Sequence, residues 1–473
     1  MSAGALVQPL LVKEFRALLP TWAAGIVAIG AAFVSSDGRV LLLAALGYGV
    51  AAVALGAQSV GHEYTYGTLG SLLVQPVERR RIFLIKLGVL LALLIVLAAA
   101  AWNAPFNTDA WRRPWGWRHP ALVLLPAAIA LFIAPWMAMV CRSPMAGIVF
   151  SATLPGLLMF AGEITGALRL GIGHPDVDPA AIRFWLRGLV PLLVVSAFLG
   201  WRAFVRLEAI DGAASEIQMP RWFKPDRPAS RHPVWLLFWK ELHLQQMTFV
   251  VVVLFAIGWA TLSLLKDLVP AFADAPLVPL TLVYMALLSI LIGSLASAEE
   301  RHLGVLQLQL LLPMAGWQQW MVKVGTALVL ALLMGVGVPM LLSYLSPAPH
   351  HFDLASRLWQ REAVVLIVLT SLSLYISSIT TSGVRAVMLA FPVLTVLVGL
   401  SQLVQPLRLR ATLLFAILAL LVPVALWLAY QNHRSADRGL RQIATQLLWF
   451  IAVPLGGVVV VAGFVVARML MGI

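Results

Sequence analysis

Apolar runs long enough to cross a bilayer recur along the whole chain, separated by short polar turns. A hydrocarbon core of about 30 Å needs about 20 apolar residues in a helix. Runs of that kind occupy 18–34, 40–60, 82–102, 120–141, 145–161 and 186–205, and then 246–265, 277–298, 321–345, 363–380, 384–404, 411–430 and 446–467. The pattern predicts an all-α polytopic membrane protein of about 13 transmembrane helices: six, a linker, then seven. Pro126, Pro155, Pro339, Pro392 and Pro454 fall inside these runs, which membrane helices tolerate better than soluble ones. The one long polar stretch, 208–235, carries Asp211, Glu216, Lys224, Asp226, Arg227 and Arg231. It reads as a cytoplasmic linker, and its Trp222 and Phe223 rest it on the membrane surface. The expected organisation is therefore 1–207 as a first six-span unit, 208–235 as linker, 236–431 as a second six-span unit, and 432–473 as a cytoplasmic segment with an extra C-terminal span.

The two halves share a spacing. Glu63 is followed by Gly67, Pro76 and Lys86, and Glu300 is followed at the same intervals by Gly304, Pro313 and Lys323. Leu69, Leu72 and Leu73 correspond to Leu306, Gln309 and Leu310. Before the first span of each half stands a matching pair, Lys13-Glu14 and Lys240-Glu241. Six is an even number, so both copies enter the membrane the same way up and form parallel six-helix repeats related by an axis along the membrane normal, with a cavity between them. Residues 63–75 mix apolar, small and polar side chains between Gly67 and Pro76 and fit a short interfacial helix. Arg79, Arg80, Arg81 and Lys86, with Lys323 in the second copy, are expected to anchor the next span at the headgroups.

Composition narrows the class. The 473 residues are 61% hydrophobic and 11% charged, against about 45–50% and about 25% in soluble domains. The net charge of +13 is spread over short loops, and the tryptophans lie near run ends. That is the pattern of a membrane protein, not of a nucleic-acid binder. Charge bias places the N-terminus, the linker and the two spaced loops in the cytoplasm of a bacterial inner (plasma) membrane. The bias is mild, because Arg112, Arg113, Arg118, Arg357 and Arg361 then fall outside. Lys13 and Arg16 precede an apolar stretch as in a signal peptide, but no small-residue cleavage pattern follows, so the first span is read as retained. The single cysteine, Cys141, excludes an intramolecular disulfide.

Candidate chemistry is sparse. No expected span carries Asp, Glu, Arg, Lys or His near its middle, which argues against a proton- or sodium-coupled carrier. A dense hydroxyl run, Thr370, Ser371, Ser373, Ser377, Ser378, Thr380 and Thr381, reads as helix packing with bonds back to the preceding turn. The alternative is that some of these residues line a substrate path. No phosphate-cradling Gly-rich loop occurs, and His62-Glu63 lacks the second His of a zinc-binding helix. No catalytic residue, cofactor site or metal site is expected in this chain.

The segment Glu-x-x-x-Gly-Thr-Leu-x-x-Leu-Leu-x-x-Pro at 63–76, followed by basic residues and Lys86, resembles the signature of ATP-binding cassette permeases of the ABC-type-2 exporter superfamily. The resemblance covers roughly 1–206 and 236–430. It implies that Glu63, Gly67, Thr68, Leu69 and Pro76 form a coupling helix that docks on an ATPase, with Glu300, Gly304, Leu306 and Pro313 matching in the second copy. It implies that Lys13-Glu14 and Lys240-Glu241 belong to connecting helices. Val305 in place of Thr68, and Gln318-Gln319-Trp320 in place of the Arg triplet, depart from the pattern. The chain would then be a transport subunit, not an enzyme, partnered by two cytoplasmic ATPase subunits that hold ATP and Mg, and exporting an amphipathic substrate. A membrane-embedded enzyme or sensor subunit, and a secondary transporter or channel, are the competing readings.

Overall fold

The computed structural model describes residues 3–34, 38–74, 77–107, 120–170, 177–207, 233–268, 277–302, 304–305, 309, 314–345, 357–403 and 410–434, with 445–446, 448–449, 452, 456 and 463. Pro76, Leu306 and Pro313 lie outside the described residues, as do Arg112, Arg113 and Arg118, linker residues 208–232 and most of the last expected span.

Every described element is helical. In chain order they are α1 (Ala3–Val34), α2 (Gly38–Thr65), α3 (Leu69–Leu73), α4 (Arg79–Asn103), α5 (Pro120–Ala128), α6 (Ala134–Cys141), α7 (Pro144–Leu170) and α8 (Val177–Val205). There follow α9 (Pro233–Leu244), α10 (Gln246–Leu268), α11 (Leu277–His302), α12 (Gly316–Leu332), α13 (Val338–Leu345), α14 (Arg357–Ile379), α15 (Gly383–Leu403) and α16 (Arg410–Arg434). Among the described residues nine helices are long and apolar enough to cross a membrane, and two shorter apolar ones accompany them. The chain is thus an all-α protein with the makings of a multi-pass membrane protein.

Proline explains two local departures. Wide π turns at Ile129–Ile133 and Leu333–Gly337 join α5 to α6 and α12 to α13. In each, the last N–H reaches five residues back, from Ala134 to Ile129 and from Val338 to Leu333. The next residue is Pro135 or Pro339, which has no N–H to continue the ladder. The helix absorbs the loss by widening instead of breaking.

The starts of the two halves differ. α1 runs unbroken through Lys13 into the first span, whereas the chain turns at Gln245 between α9 and α10. Gln245 is buried there: its amide donates to Ile292 O at 3.0 Å and accepts from Thr248 Oγ1 at 2.8 Å. The side chain thereby serves the polar groups that the break exposes.

The chain divides into two compact units, Met1–Pro220 with Ile257–Val278 and Phe391–Thr395, and Arg221–Ala256 with Pro279–Ala390 and Val396–Ile473. In the first unit α2 is central: 67% of its apolar window is buried, against 22% for α8. Ala51, Ala52, Ala54, Gly56 and Ala57 let neighbours approach its backbone, and a Cβ on Gly56 would stand 2.1 Å from Ala130 O. In the second unit α11 takes the central place, 72% buried. Its Gly293 follows Gly56 by the interval that separates Glu300 from Glu63, and a Cβ there would stand 2.5 Å from Thr370 O. Small residues at such crossings replace the hydrophobic drive that lipid cannot supply. On the outside, Val190, Val194 and Phe198 of α8 form an exposed apolar stripe, one residue per turn, suited to acyl chains.

Candidate functional site

The C-terminal end of α2 closes on a left-handed glycine. The N–H groups of Tyr66, Gly67 and Thr68 turn back to the carbonyls of His62, Tyr64 and Glu63 at 2.9, 3.3 and 3.0 Å. Gly67 has φ +62° and Gly304, at the end of α11, has φ +68°. Helices end this way because a residue without Cβ can take the left-handed conformation freely. The chain then makes the single turn α3 and enters α4.

Behind this turn lies a buried ion cluster. Lys86 of α4 reaches Glu14 of α1 at 2.6 Å and Glu63 of α2 at 3.1 Å, and donates to Ser59 O at 3.2 Å. Lys13 adds a second ammonium, 2.9 Å from Glu63. Thr68 donates its hydroxyl to Glu63, and His62 Nε2 stands 3.1 Å from the same carboxylate while Nδ1 meets Gln58 O at 2.7 Å. Glu63 and Lys86 are at most 1% exposed. Leu72 of α3 is also fully buried, packed with Leu10, Val60, Ile82 and Phe83, so α3 is pinned by one leucine.

The second unit builds the same arrangement. Lys323 of α12 pairs with Glu300 of α11, stands 3.5 Å from Glu241 of α9 and donates to Ala296 O at 2.7 Å. Lys240 pairs with Glu300 and lies 3.2 Å from Glu241. Gln309, which holds the place of Leu72, accepts from Lys240 at 2.6 Å. Each unit thus sets two lysines against two glutamates. Aromatic neighbours match as well: Phe83 meets Phe204 at 4.9 Å and Trp201 at 5.8 Å, and Trp320 meets His433 at 5.5 Å and Tyr430 at 6.3 Å.

Burial and charge set the titration of α9. Burial raises the Glu241 carboxyl to about 7, outweighing the Lys323 ammonium. Burial pulls the Lys240 ammonium the other way, but Glu241 and Glu300 together prevail and raise it.

Several expectations change here. Lys86 and Lys323 are not headgroup anchors; they are the buried counter-ions of the glutamates, because an ammonium in an apolar interior must find a carboxylate. Glu63 and Glu300 are fully buried. Arg79 donates to Val205 O and Leu207 O at 3.2 and 2.6 Å, closing the end of α8. Of the triplet, Arg80 and Arg81 remain exposed. The outward face of the first loop includes Tyr66 (46% exposed), Gly67, Ser71 and Val74 (84% exposed), with Thr68 and Leu69 half-buried. Gly304 is exposed likewise.

Spacing had singled out Lys13, Glu14, Glu63 and Lys86 without joining them; the fold brings all four into one cluster. His62, Ser59, Gln309 and the aromatic pairs carried no signal beyond their positions. Glu14, His62 and Glu63 offer three metal-type ligand atoms within 4.8 Å of one another. Lys86 already occupies the cationic position between the two carboxylates, so the donor set is served by an ammonium. No family model, curated protein or solved structure matches this chain.

Proposed function

We propose that this chain is the membrane-spanning permease of an ATP-binding cassette transporter, an exporter built from two parallel six-span units and driven by two separate cytoplasmic ATPase subunits in a bacterial inner membrane. The observation that carries the reading is the recurrence of one cluster, Lys-Glu-Glu-Lys, behind each left-handed glycine. A loop that only ends one span and starts the next does not need such a device. A loop that must carry a push does.

The cluster ties three segments at one point in the first unit: α1 through Lys13 and Glu14, α2 through Glu63 and α4 through Lys86. Separating buried charges costs about 3–5 kcal/mol when one partner is lost. Force applied to Val74 or Tyr66 therefore moves α1, α2 and α4 together and does not shear the loop from them. The matching glutamate and lysine of the second unit do the same for α9, α11 and α12. Nucleotide-driven closure of two ATPases would push on the two loops and, through the clusters, on the helices tied to them.

Purification of the chain from its native membrane, with assay of ATP hydrolysis, tests this. An ATPase should copurify, and Val74→Asp should abolish the stimulated turnover while the chain stays inserted. Absence of any bound ATPase, or turnover indifferent to Val74→Asp and Tyr66→Ala together, would sink the proposal.

A further inference from the structure

The α11–α14 crossing holds more hydroxyls than partners for them. Ser294 and Ser297 of α11 and Thr370, Ser371 and Ser373 of α14 are buried, and their hydroxyl oxygens meet no hydrogen-bond partner among the described residues. Serine and threonine in a helix have a standing partner, the carbonyl one turn back. Other hydroxyls in this chain take it: Ser289 on Met285 O at 2.8 Å, Thr326 on Val322 O at 2.8 Å, Thr395 on Phe391 O at 2.7 Å. Ser294, Ser297, Thr370, Ser371 and Ser373 do not.

The crossing is tight at its closest point and polar around it. A Cβ on Gly293 would stand 2.5 Å from Thr370 O and 2.6 Å from Ser373 Cβ. Ser377 donates to Ser294 O at 2.7 Å and accepts the N–H groups of Ser297 and Ala298 at 3.0 and 2.7 Å. That one hydroxyl is fully used in tying the helices together, and its neighbours are left over. The first unit offers the contrast. Gly56 presses on Ala130 in the same manner, but Val53, Ala57, Ile129, Ile133 and Met137 surround that contact and ask for no partner.

We propose that the α11–α14 crossing is a water-binding site, in which ordered water molecules bridge these hydroxyls and make a hydrated seam inside the second unit. Buried polar groups in folded proteins are almost always paired, and a buried water needs two to four polar partners, which the hydroxyls of Ser294, Ser297, Thr370 and Ser373 can supply. The oxygens are neutral and can both donate and accept, which suits water better than an ion of either sign. Water exchanges partners readily, so α14 can shift against α11 without leaving a polar group bare. The corresponding contact of the first unit is dry. The inference rests on the hydroxyls alone and stands or falls separately from the permease reading.

Two measurements on the full chain in lipid nanodiscs decide it. Thr370→Val and Ser373→Ala should each lower the thermal midpoint by a few degrees, because each strands a water that the wild-type hydroxyl holds. A dry crossing gives the opposite sign: removing an unpaired hydroxyl leaves the midpoint unchanged or raises it, and that result would overturn the proposal. The wild-type chain supplies the second measurement, which does not depend on any variant folding. X-ray radiolysis in ¹⁸O-water should oxidise Leu372 and Leu374 despite their burial and spare Ile129 and Ile133. Failure to label Leu372 and Leu374 would equally overturn it.

Discussion

Lys86 and Glu14 stand 72 residues apart in sequence and 2.6 Å apart in space, both shut away from water. That pair decides how α1 meets α4, and it makes the strongest prediction. Lys86→Met leaves Glu14 and Glu63 buried without their shared ammonium and should destabilise the chain by about 3–5 kcal/mol. Lys13 is 39% exposed in its side chain, and Lys13→Met should cost less than about 1 kcal/mol. Thermal unfolding of both variants in nanodiscs checks the contrast; equal losses would show that the cluster is not organised around Lys86.

The glycines divide into two kinds. Gly67 and Gly304 have positive φ and open space where a Cβ would stand, so Gly67→Ala and Gly304→Ala should cost only the left-handed strain, about 1–2 kcal/mol. Gly56 has helical φ, and its Cβ would strike Ala130 O. Gly56→Ala should force the helices apart at about 3 kcal/mol or more, the upper range for overpacking. Inserted yield and thermal midpoint of the three variants would rank them, with Gly56→Ala worst.

Arginine roles separate within one triplet. Arg79 is committed to the carbonyls of Val205 and Leu207, so Arg79→Gln should lower stability and leave partner binding, and its dependence on salt, as they are in the parent chain. Arg80 and Arg81 are exposed, and on the proposed permease reading their joint change to Gln should weaken ATPase association by a few-fold at low salt, an effect that fades as salt rises. A pull-down across a salt series tells these apart. Loss of association from Arg79→Gln alone would contradict the assignment.

Glu241 predicts a pH dependence. Its carboxyl sits at about 7 in the folded cluster against an ordinary 4.5, so the folded state holds the proton more tightly. Stability from this group is full below about pH 4.5 and is lost as pH rises from there through about 7. Glu241→Gln should flatten that part of the stability–pH curve measured between pH 5 and 8. Identical slopes for the variant and the parent chain would show that Glu241 is ionised throughout.

The paired spacing is legible in the sequence: Glu63 with Gly67 and Lys86, Glu300 with Gly304 and Lys323, Lys13-Glu14 with Lys240-Glu241. Their chemistry was misplaced. Lysines at the edge of an apolar run look like headgroup anchors, because a linear pattern shows only that a charge lies near a membrane boundary. Whether it points outward or inward depends on which other helix brings a carboxylate to it. The hydroxyl run from Thr370 to Ser378 was legible as composition, but not which members pair: Ser377 and Ser378 find partners, and Thr370, Ser371 and Ser373 do not.

Apolar period, proline placement and turn residues are local quantities, and they were enough to establish an all-α chain with helices of spanning length. Backbone hydrogen bonds in lipid must close within the segment, so a long apolar run has few alternatives to helix. The pairing of Lys86 with Glu14, the turn at Gln245, the capture of α8 by Arg79 and the contrast between the apolar crossing at Gly56 and the polar one at Gly293 were decided only by the tertiary structure. Each depends on two segments far apart in sequence meeting at a particular height, and burial then turns a weak exposed attraction into a demand that the partner be present.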